Sequence, residues 1–260
     1  MSIGFFDSGV GGLSIFRHAI KRLPDFDLLY VADSANCPWG EKSDEFILNR
    51  ATAITKFLLD KGARMIVVAC NSASVNTIEK LREKYPNIPF VGVEPGVKPA
   101  LLATKKGRVA VLATRATSRG EKFLNTKEKY GHHGKVMVIP APELVDWVED
   151  SSSNLSFCRE ARLAEILDPV ITADVDQIVL GCTHFPFLYD CIRKILPESI
   201  NIIDTSIAVC NRIKTLAKDL PRAGETGKLK FFTSGNLEKT NKLIQELIGI
   251  ENVRCEKIEK

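Results

Sequence analysis

The sequence predicts an α/β protein made of two similar Rossmann-like or flavodoxin-like domains, each with a sheet rich in parallel strands. Three observations predict this fold class. Short segments of β-branched or aromatic residues alternate with amphipathic segments, as in units where a helix connects two parallel strands. One motif of a strand followed by a cysteine occurs twice. The 260 residues also exceed what a single small domain needs.

The predicted strands are apolar runs of the kind found in parallel sheets that are buried on both faces. In chain order they cover residues 2–6, 28–32, 65–69, 90–93, 109–113, 136–140, 177–180, 201–203 and 229–232. Between them, apolar residues at helical spacing predict helices. These helices cover residues 44–60, 74–84, 159–171, 206–220 and 237–248. About nine strands are enough for two sheets of four or five strands each.

Composition and charge exclude several classes of protein. With 45% hydrophobic and 26% charged residues and no biased segment, the chain is neither disordered nor fibrous. Its 36 basic and 32 acidic residues are spread along the chain, so nothing favours nucleic-acid binding. Apolar runs such as residues 65–70 are too short to span a membrane, and the N-terminus lacks the features of a signal peptide. We therefore expect a cytoplasmic protein with no membrane partner.

The cysteines and histidines give little reason to expect structural bonds or metals. Seven cysteines at irregular spacing, without an export signal, make a disulfide framework improbable. No CxxC pair occurs, and we expect no metal site. Cys37 is interpreted as part of a substrate loop without a chemical role. The histidines outside the second cysteine motif, which are His18, His132 and His133, are interpreted as surface residues.

An internal repeat divides the chain into two halves. Residues 64–74 and 176–186 each read as a buried strand that ends in a cysteine, where a helix should begin. The two cysteines, Cys70 and Cys182, are 112 residues apart, which is about the length of one domain. Turn residues at 94–96 mark a boundary. The predicted domains cover residues 1–94 plus 208–260, and 95–207, with the active site in the cleft between them.

The glycine-rich segment after the first strand fits a phosphate-binding loop only in part. A dinucleotide fingerprint needs G-x-G-x-x-G, and Ser14 stands where the third glycine belongs. Asp7 would repel a phosphate. Asp7 and Ser8 better suit a cationic group such as an ammonium, with backbone N–H groups available to a carboxylate. The alternative is a tight turn in which Asp7 caps a helix.

Cys70 and Cys182 are the candidate catalytic groups. A helix is predicted after Cys70, and its dipole would lower the thiol pKa from about 8.5 toward neutrality. A plain packing role for Cys70 stays open. Cys182 repeats this arrangement and adds His184, which can shuttle a proton. A metal held by Cys182 and His184 would need a further ligand, and none occurs at the spacing typical of zinc sites.

Two thiols on equivalent loops of two similar halves are expected to face each other across the cleft. Inversion of a carbon stereocentre requires removal of a proton from one face and return of a proton to the other. A thiolate opposed to a thiol performs this in either direction. The Cα proton of an amino acid is a very poor acid, so donors to the α-carboxylate would have to stabilise the carbanion.

Six segments carry a resemblance to a known family. They are IGFFDSGVGGL (3–13), DSANCPWGEK (33–42), VACNSAS (68–74), VGVEP (91–95), TRAT (114–117) and GCTHFP (181–186). In this order they resemble the successive motifs of glutamate racemases, from the N-terminus to at least Asp204. The resemblance implies a cofactor-independent isomerase, cytoplasmic and homodimeric, that interconverts L- and D-glutamate and supplies D-glutamate for peptidoglycan.

The resemblance also implies roles for single residues. Cys70 would be the base that acts on D-glutamate, and Cys182 the base that acts on L-glutamate. Asp7 and His184 would assist the thiols, and Glu149 matches a further acidic position. The implied substrate contacts are Asp7, Ser8, Trp39, Gly40, Asn71, Ser72, Thr114, Thr117, Thr183 and His184.

Two positions depart from the pattern of the family. The family usually has tyrosine in place of Trp39 and threonine in place of Ser72. Ser72 keeps the hydroxyl, whereas Trp39 keeps an aromatic wall and loses the phenolic O–H.

Three other interpretations stay open. One alternative is an aspartate racemase, or a single-thiol enzyme, of the same architecture. The others are a nucleotide-binding module with structural cysteines and an interaction protein on an inactive racemase scaffold.

Overall fold

The computed structural model describes residues 2–150, 160–224 and 226–258. Its strands are β1 (Ser2–Asp7), β2 (Asp27–Ala32), β3 (Ala63–Val68), β4 (Phe90–Gly92), β5 (Arg108–Ala113), β6 (Lys135–Pro140), β7 (Gln177–Gly181), β8 (Asn201–Ile203), β9 (Leu229–Thr233) and β10 (Cys255–Lys257). Its α-helices are α1 (Leu13–Arg22), α2 (Asp44–Asp60), α3 (Asn71–Lys84), α4 (Val97–Ala103), α5 (Arg115–Arg119), α6 (Glu121–Tyr130), α7 (Glu143–Glu149), α8 (Glu160–Thr172), α9 (Tyr189–Ile195), α10 (Ser206–Leu216) and α11 (Leu237–Ile248). Short 3₁₀ helices cover Trp39–Glu41, Gly131–His133, Phe185–Leu188 and Ala217–Asp219.

The strands form two parallel sheets. The first has the order β10-β9-β2-β1-β3-β4, and the second has the order β6-β5-β7-β8. The predicted α/β class and all nine predicted strands are confirmed. The expectation of four or five strands per sheet is wrong for the first sheet, which has six. The extra strand, β10, is a short and largely exposed edge strand without the apolar run that marks the others.

The five predicted helices are present, and three of them have different ends. Helices α2 and α11 have the predicted bounds. Helix α3 begins three residues earlier than predicted, directly after Cys70. Helix α10 ends at Leu216 and continues as a 3₁₀ turn. Helix α8 is described from Glu160, and Arg159 lies outside the described residues.

Burial explains why these apolar runs become strands. Residues 3–7 of β1 and all of β7 are buried, as expected for strands covered on both faces. Helix α1 packs on one face of the first sheet, and α2 and α3 pack on the other. One core cluster includes apolar residues from both sheets, among them Phe5 and Leu180. The two sheets therefore share a continuous hydrophobic core.

The placement of the strands agrees with two halves of the chain. The first sheet uses strands within residues 2–92 and 229–257, and the second uses strands within residues 108–203. The domain bounds 1–94 plus 208–260, and 95–207, stay a prediction. None of the helices in the described part of the chain has the length and hydropathy of a membrane-spanning segment.

Candidate active site

Loops at the carboxyl ends of strands from both sheets enclose one small cavity. Both predicted thiols line it, with Cys70 following β3 and Cys182 following β7. The other lining residues are Ser8, Pro38, Gly40, Asn71, Ser72, Thr114, Val145, Thr183 and His184. The cavity has a volume of about 10 Å³, close to the smallest that holds one water molecule. A ligand as large as an amino acid therefore does not fit without a shift of the lining groups.

A larger groove lies elsewhere in the molecule. It has a volume of about 970 Å³ and is bordered by α3, α4, α6 and α10. Neither Cys70 nor Cys182 lines this groove. The arrangement of chemical groups, rather than volume, therefore makes the small cavity the candidate active site.

Asp7 ends β1 and is fully buried beside the cavity. Its carboxylate accepts hydrogen bonds from the backbone N–H of Ser8 at 2.7 Å and of Gly12 at 2.6 Å, and from the Thr183 hydroxyl at 3.1 Å. Burial raises the pKa of Asp7, although the charge on His184 and the hydrogen bond from the Cys70 thiol act against it. Asp7 therefore caps the turn and interacts with the Cys70 thiol, whose Sγ also lies 3.9 Å from the Ser8 Oγ. Among the expected interpretations, the turn cap and the assistance to Cys70 coexist.

Cys70 precedes α3 and is 4% exposed. Burial, followed by the negative charge of Asp7, raises the pKa of the Cys70 thiol well above its ordinary value. The hydrogen bond from the Ala73 backbone N–H lowers the pKa, but it does not compensate. The expectation of a pKa lowered toward neutrality is therefore wrong for the closed cavity. The helix terminus contributes less than the loss of hydration and the nearby carboxylate.

Cys182, His184 and Glu149 form a chain of hydrogen-bonding groups. The Cys182 Sγ lies 3.6 Å from the His184 Nδ1, and the His184 Nε2 lies 2.7 Å from the Glu149 Oε1. The same Glu149 oxygen accepts the Val10 backbone N–H at 2.7 Å. The repeat predicted an α-helix directly after Cys182. The structure instead has a 3₁₀ helix at Phe185–Leu188, so this prediction is wrong. The structure thus brings Glu149, which terminates α7, to the ring of His184.

The electrostatics of this chain favour a charged imidazole. Burial lowers the pKa of His184, but its hydrogen bonds to Cys182, Cys37 and Glu149 outweigh burial, and the pKa lies well above its ordinary value. Burial raises the pKa of Glu149, and the hydrogen bond and charge of His184 bring it below its ordinary value. The pair therefore holds a proton on His184 beside a carboxylate. A protonated imidazole next to Cys182 can supply a proton to the Cys182 thiolate, and once neutral it can accept the proton of the thiol.

Glycines allow these groups to approach the first loop. A Cβ atom at Gly9 would lie 1.9 Å from the Glu149 Oε1, and a Cβ atom at Gly11 would lie 2.4 Å from the His184 Nδ1. Neither separation is sterically possible. The glycine-rich segment therefore serves close approach of Glu149 and His184, and its N–H groups at residues 10 and 12 bind carboxylates of the protein.

Three hydroxyls gather on the other side of the cavity. Ser72 Oγ lies 2.9 Å from Thr114 Oγ1 and 3.3 Å from Thr117 Oγ1, and the two threonine oxygens are 3.0 Å apart. Ser72 comes from α3 of the first half of the chain, and the threonines lie at the beginning of α5 in the second. All three side chains are buried. Such a group can donate to a carboxylate placed between the sheets.

Asn71 is the one cavity residue whose polar side chain has no protein partner in the described part of the chain. Its Nδ2 and Oδ1 are both buried without a hydrogen bond, and the residue is 2% exposed. A buried amide without partners costs about 1–3 kcal/mol. Such a group at the edge of a cavity indicates a ligand that supplies both an acceptor and a donor.

Trp39 lies in a different environment from the predicted one. Its indole is fully buried against Phe6, with ring centroids 6.3 Å apart, and its Nε1–H donates to Asp33 at 3.1 Å. Asp33 also binds Arg50 at 2.6 Å. Trp39 does not line the cavity, so the prediction that it forms an aromatic wall of the site is wrong. The indole instead fixes the loop whose residues Pro38 and Gly40 reach the cavity.

Four residues contribute to this region in ways that the sequence did not predict. Pro38 and Val145 line the cavity, and Asp33 holds the loop that carries Pro38. Cys37, expected to have no chemical role, hydrogen-bonds to His184 and Glu149, and burial together with the Glu149 charge raises the pKa of its thiol to about 12. No spacing rule links these positions. Asp33 alone carries a signal, as a charged residue directly after a buried strand.

The remaining cysteines and histidines lie apart from the cavity. The six described cysteines are free, and Cys158 lies outside the described residues. His132 and His133 are exposed as predicted, and His18 in α1 is half-buried.

Known proteins are similar to this chain over most of its length. A family model described as Asp/Glu/Hydantoin racemase matches residues 13–213. The chain belongs to this family. It is 39% identical to a glutamate racemase of Ectopseudomonas mendocina over 249 residues, which cover 95% of this chain and 94% of the relative. The resemblance that the sequence motifs indicated is thereby confirmed.

Two solved structures are similar over nearly the whole chain. Escherichia coli glutamate racemase, in complex with L-glutamate and the activator UDP-MurNAc-ala, has a TM-score of 0.87 at 31% identity, covering 99% of this chain and 98% of that chain. Francisella tularensis glutamate racemase, in complex with D-glutamate, has a TM-score of 0.83 at 25% identity, covering 99% and 97%. Both matches extend across the two sheets and the cavity between them.

Proposed function

We propose that this chain is a glutamate racemase that interconverts L- and D-glutamate by two-base proton transfer at Cα, without a cofactor. The observation that carries the proposal is the placement of two thiols, from equivalent strand ends of the two sheets, on one closed cavity. The relatives with crystal structures bind L-glutamate in one case and D-glutamate in the other. A site that binds both isomers and holds an acid–base group on each side is what stereoinversion requires.

In the proposed reaction from D to L, Cys70 is the base. Asp7, whose carboxylate accepts the hydrogen bond of the Cys70 thiol, takes the thiol proton and leaves a thiolate. The thiolate removes the Cα proton of D-glutamate, and Cys182 delivers its proton to the opposite face of the carbanion. His184 then returns a proton to Cys182. The reaction from L to D runs through the same steps in reverse, with Cys182 as the base.

Substrate binding in this proposal uses the polar groups that surround the thiols. Asn71 and the hydroxyls of Ser72, Thr114 and Thr117 donate to the carboxylates of glutamate, and Ser8 and Thr183 line the cavity beside them. Gly40 lines the cavity on the loop that Trp39 anchors. Expulsion of water from a cavity this small strengthens each of these interactions as charge develops at Cα.

The alternatives fit less well. A nucleotide-binding module would place phosphates on the N–H groups of the first loop, but residues 10 and 12 already donate to Glu149 and Asp7. A single-thiol enzyme leaves the second thiol and its His184–Glu149 pair without a task. An aspartate racemase of the same architecture differs only in the length of the substrate, so it is separated by experiment.

The test follows the circular dichroism of L-glutamate, D-glutamate and L-aspartate in separate reactions with the purified protein and no added cofactor. We expect both glutamate signals to decay to zero while the aspartate signal stays constant. Decay of the aspartate signal at a comparable rate would contradict the substrate assignment. Constant signals in all three reactions, from protein shown to be folded by its own far-ultraviolet spectrum, would contradict the racemase proposal.

The broader setting is proposed from the family resemblance. The enzyme works in the cytoplasm as a homodimer and supplies D-glutamate for peptidoglycan, and its domains cover residues 1–94 plus 208–260, and 95–207. Sedimentation equilibrium at micromolar concentration tests the dimer. A single species at the mass of one chain, 28.8 kDa, would contradict it.

A further inference from the structure

A second cluster of ligand-type side chains lies beside the catalytic thiols. The Cys37 sulfur, a carboxylate oxygen of Glu149 and a ring nitrogen of His184 all lie within 4.8 Å of one another. They come from three separate segments of the chain, namely the loop before Trp39, the end of α7 and the turn after β7. Among the described residues, this is the one group of three such side chains with this spacing.

We propose that these three side chains form an inhibitory site for a thiolate-binding divalent cation of the Zn²⁺ class. Sulfur, imidazole and carboxylate are the ligands that zinc takes, at about 2.3 Å, 2.0–2.1 Å and 2.0–2.2 Å. Tetrahedral geometry at these bond lengths puts nitrogen and oxygen about 3.4 Å apart, and sulfur about 3.6 Å from each. The His184 and Glu149 atoms that now hydrogen-bond at 2.7 Å would separate by about 0.7 Å, and the sulfur would approach by about 1.2 Å or less. Rotations of the side chains supply shifts of this size.

Charge and space also suit a dication at this position. A Cys37 thiolate and the Glu149 carboxylate together balance two positive charges, and a bound metal deprotonates a coordinating thiol. Gly9 has no side chain, so no Cβ atom of the first loop competes with Glu149 and Cys37 for this position. A Cβ atom there would lie 1.9 Å from the Glu149 Oε1 and 3.0 Å from the Cys37 sulfur. Three protein ligands leave one coordination position for water.

Such a cation would stop the reaction by occupying its proton relay. His184 would bind the metal in place of the proton that it shares with Glu149. Cys182, which contacts the other nitrogen of the ring at 3.6 Å, would then lose its proton donor. Metal binding can be measured without a substrate, so failure of this proposal is distinguishable from failure of the proposed racemase activity.

Cobalt substitution gives a direct test that does not rely on turnover. The purified full-length chain is titrated with Co²⁺, and the near-ultraviolet charge-transfer absorption from thiolate to cobalt is recorded. We expect one Co²⁺ per chain, displaced by Zn²⁺. The variant Cys37→Ala should lose this absorption. The matched variant Cys191→Ala, which removes a half-buried free thiol from α9, should retain it.

Inhibition is measured in parallel, with each variant compared to its own rate without metal. Removal of a supporting group near a metal typically lowers affinity by about 10- to 100-fold, so loss of a direct ligand should raise the inhibitory Zn²⁺ concentration at least about tenfold in Cys37→Ala. Cys37→Ser, in which a weakly binding oxygen replaces sulfur, serves if the alanine variant does not fold. Unchanged absorption and inhibition in the Cys37 variants would place the metal on other thiols of the chain and overturn the proposal. Absence of cobalt binding by the native chain would overturn it as well.

Discussion

The pair formed by His184 and Glu149 gives the sharpest prediction about catalysis. Glu149→Gln keeps the size of the side chain and removes the charge that the imidazole faces at 2.7 Å. A hydrogen bond between charged groups contributes about 1.5–3 kcal/mol. At 1.36 kcal/mol per factor of ten, its loss should lower kcat/KM by roughly 10- to 150-fold. Because enantiomers have equal free energies, kcat/KM must fall by the same factor for L- and D-glutamate.

The side of the site that is affected can be read from isotope effects. With Cys182 impaired, removal of the Cα proton from L-glutamate becomes more fully rate-limiting, so the deuterium isotope effect on kcat/KM for Cα-deuterated L-glutamate should rise. For Cα-deuterated D-glutamate it should fall, because the later proton transfer from Cys182 then limits the rate. The assay is circular dichroism with protonated and deuterated substrates of each configuration.

The same variant should change the pH dependence. Glu149 raises the pKa of His184, so its loss lowers that pKa. The alkaline side of the pH–rate profile, where the imidazole loses its proton, should move to lower pH. Glu143→Gln is the matched control, since Glu143 lies on the same helix α7 and pairs with the exposed Arg162 at 2.9 Å. Surface pairs contribute about 0–1 kcal/mol. Equal rates for Glu149→Gln and Glu143→Gln would refute the assigned role of Glu149.

Three further predictions concern the thiols and the loop anchor. Cys70→Ser and Cys182→Ser should each abolish racemisation with an unchanged far-ultraviolet spectrum, because a serine hydroxyl is a far weaker acid than a thiol. Turnover by either variant would exclude the replaced thiol as an essential base. Asp33→Asn should lower the free energy of unfolding by roughly 2–4 kcal/mol, since it leaves Arg50 without its buried partner; urea denaturation measures this, and a change below about 0.5 kcal/mol would contradict it. The pKa of Cys70 is raised in the folded chain, so the contribution of its proton to stability is present below the unfolded pKa of about 8.5 and is lost as the pH rises. Urea denaturation between about pH 7 and 10 should show that the free energy of unfolding declines more steeply for the native chain than for Cys70→Ser. Equal slopes would contradict the raised pKa.

The fold could be predicted because each strand carries its own signal. Central strands such as β1 and β7 are buried on both faces, so their sequences are continuous apolar runs. β10 has no such signal, because it pairs with β9 on one side at the edge of the sheet and its residues are largely exposed. Pairing at an edge depends on the position of β9, which a local pattern does not contain.

The site could be predicted in its members but not in its electrostatics. Strand ends of parallel sheets collect ligands, and this rule brings Cys70 and Cys182 to one cavity. The pKa of Cys70 depends on its burial and on Asp7, which are tertiary properties that outweigh the helix terminus. The direction of the Trp39 side chain depends on its hydrogen bond to Asp33, a contact that no motif marks.

If two opposed thiols act as separate bases, each delivers a solvent-derived proton to one face of Cα, and solvent deuterium reveals this. L-glutamate with hydrogen at Cα is incubated with the enzyme in D₂O, and the reaction is stopped at low conversion. We expect the D-glutamate formed to carry deuterium at Cα, delivered by Cys70, while the remaining L-glutamate keeps its hydrogen. The reverse reaction should show the mirror result. Retention of the original hydrogen in the product, or equal deuterium in both isomers from the start, would show that one base serves both faces and would contradict the two-thiol mechanism.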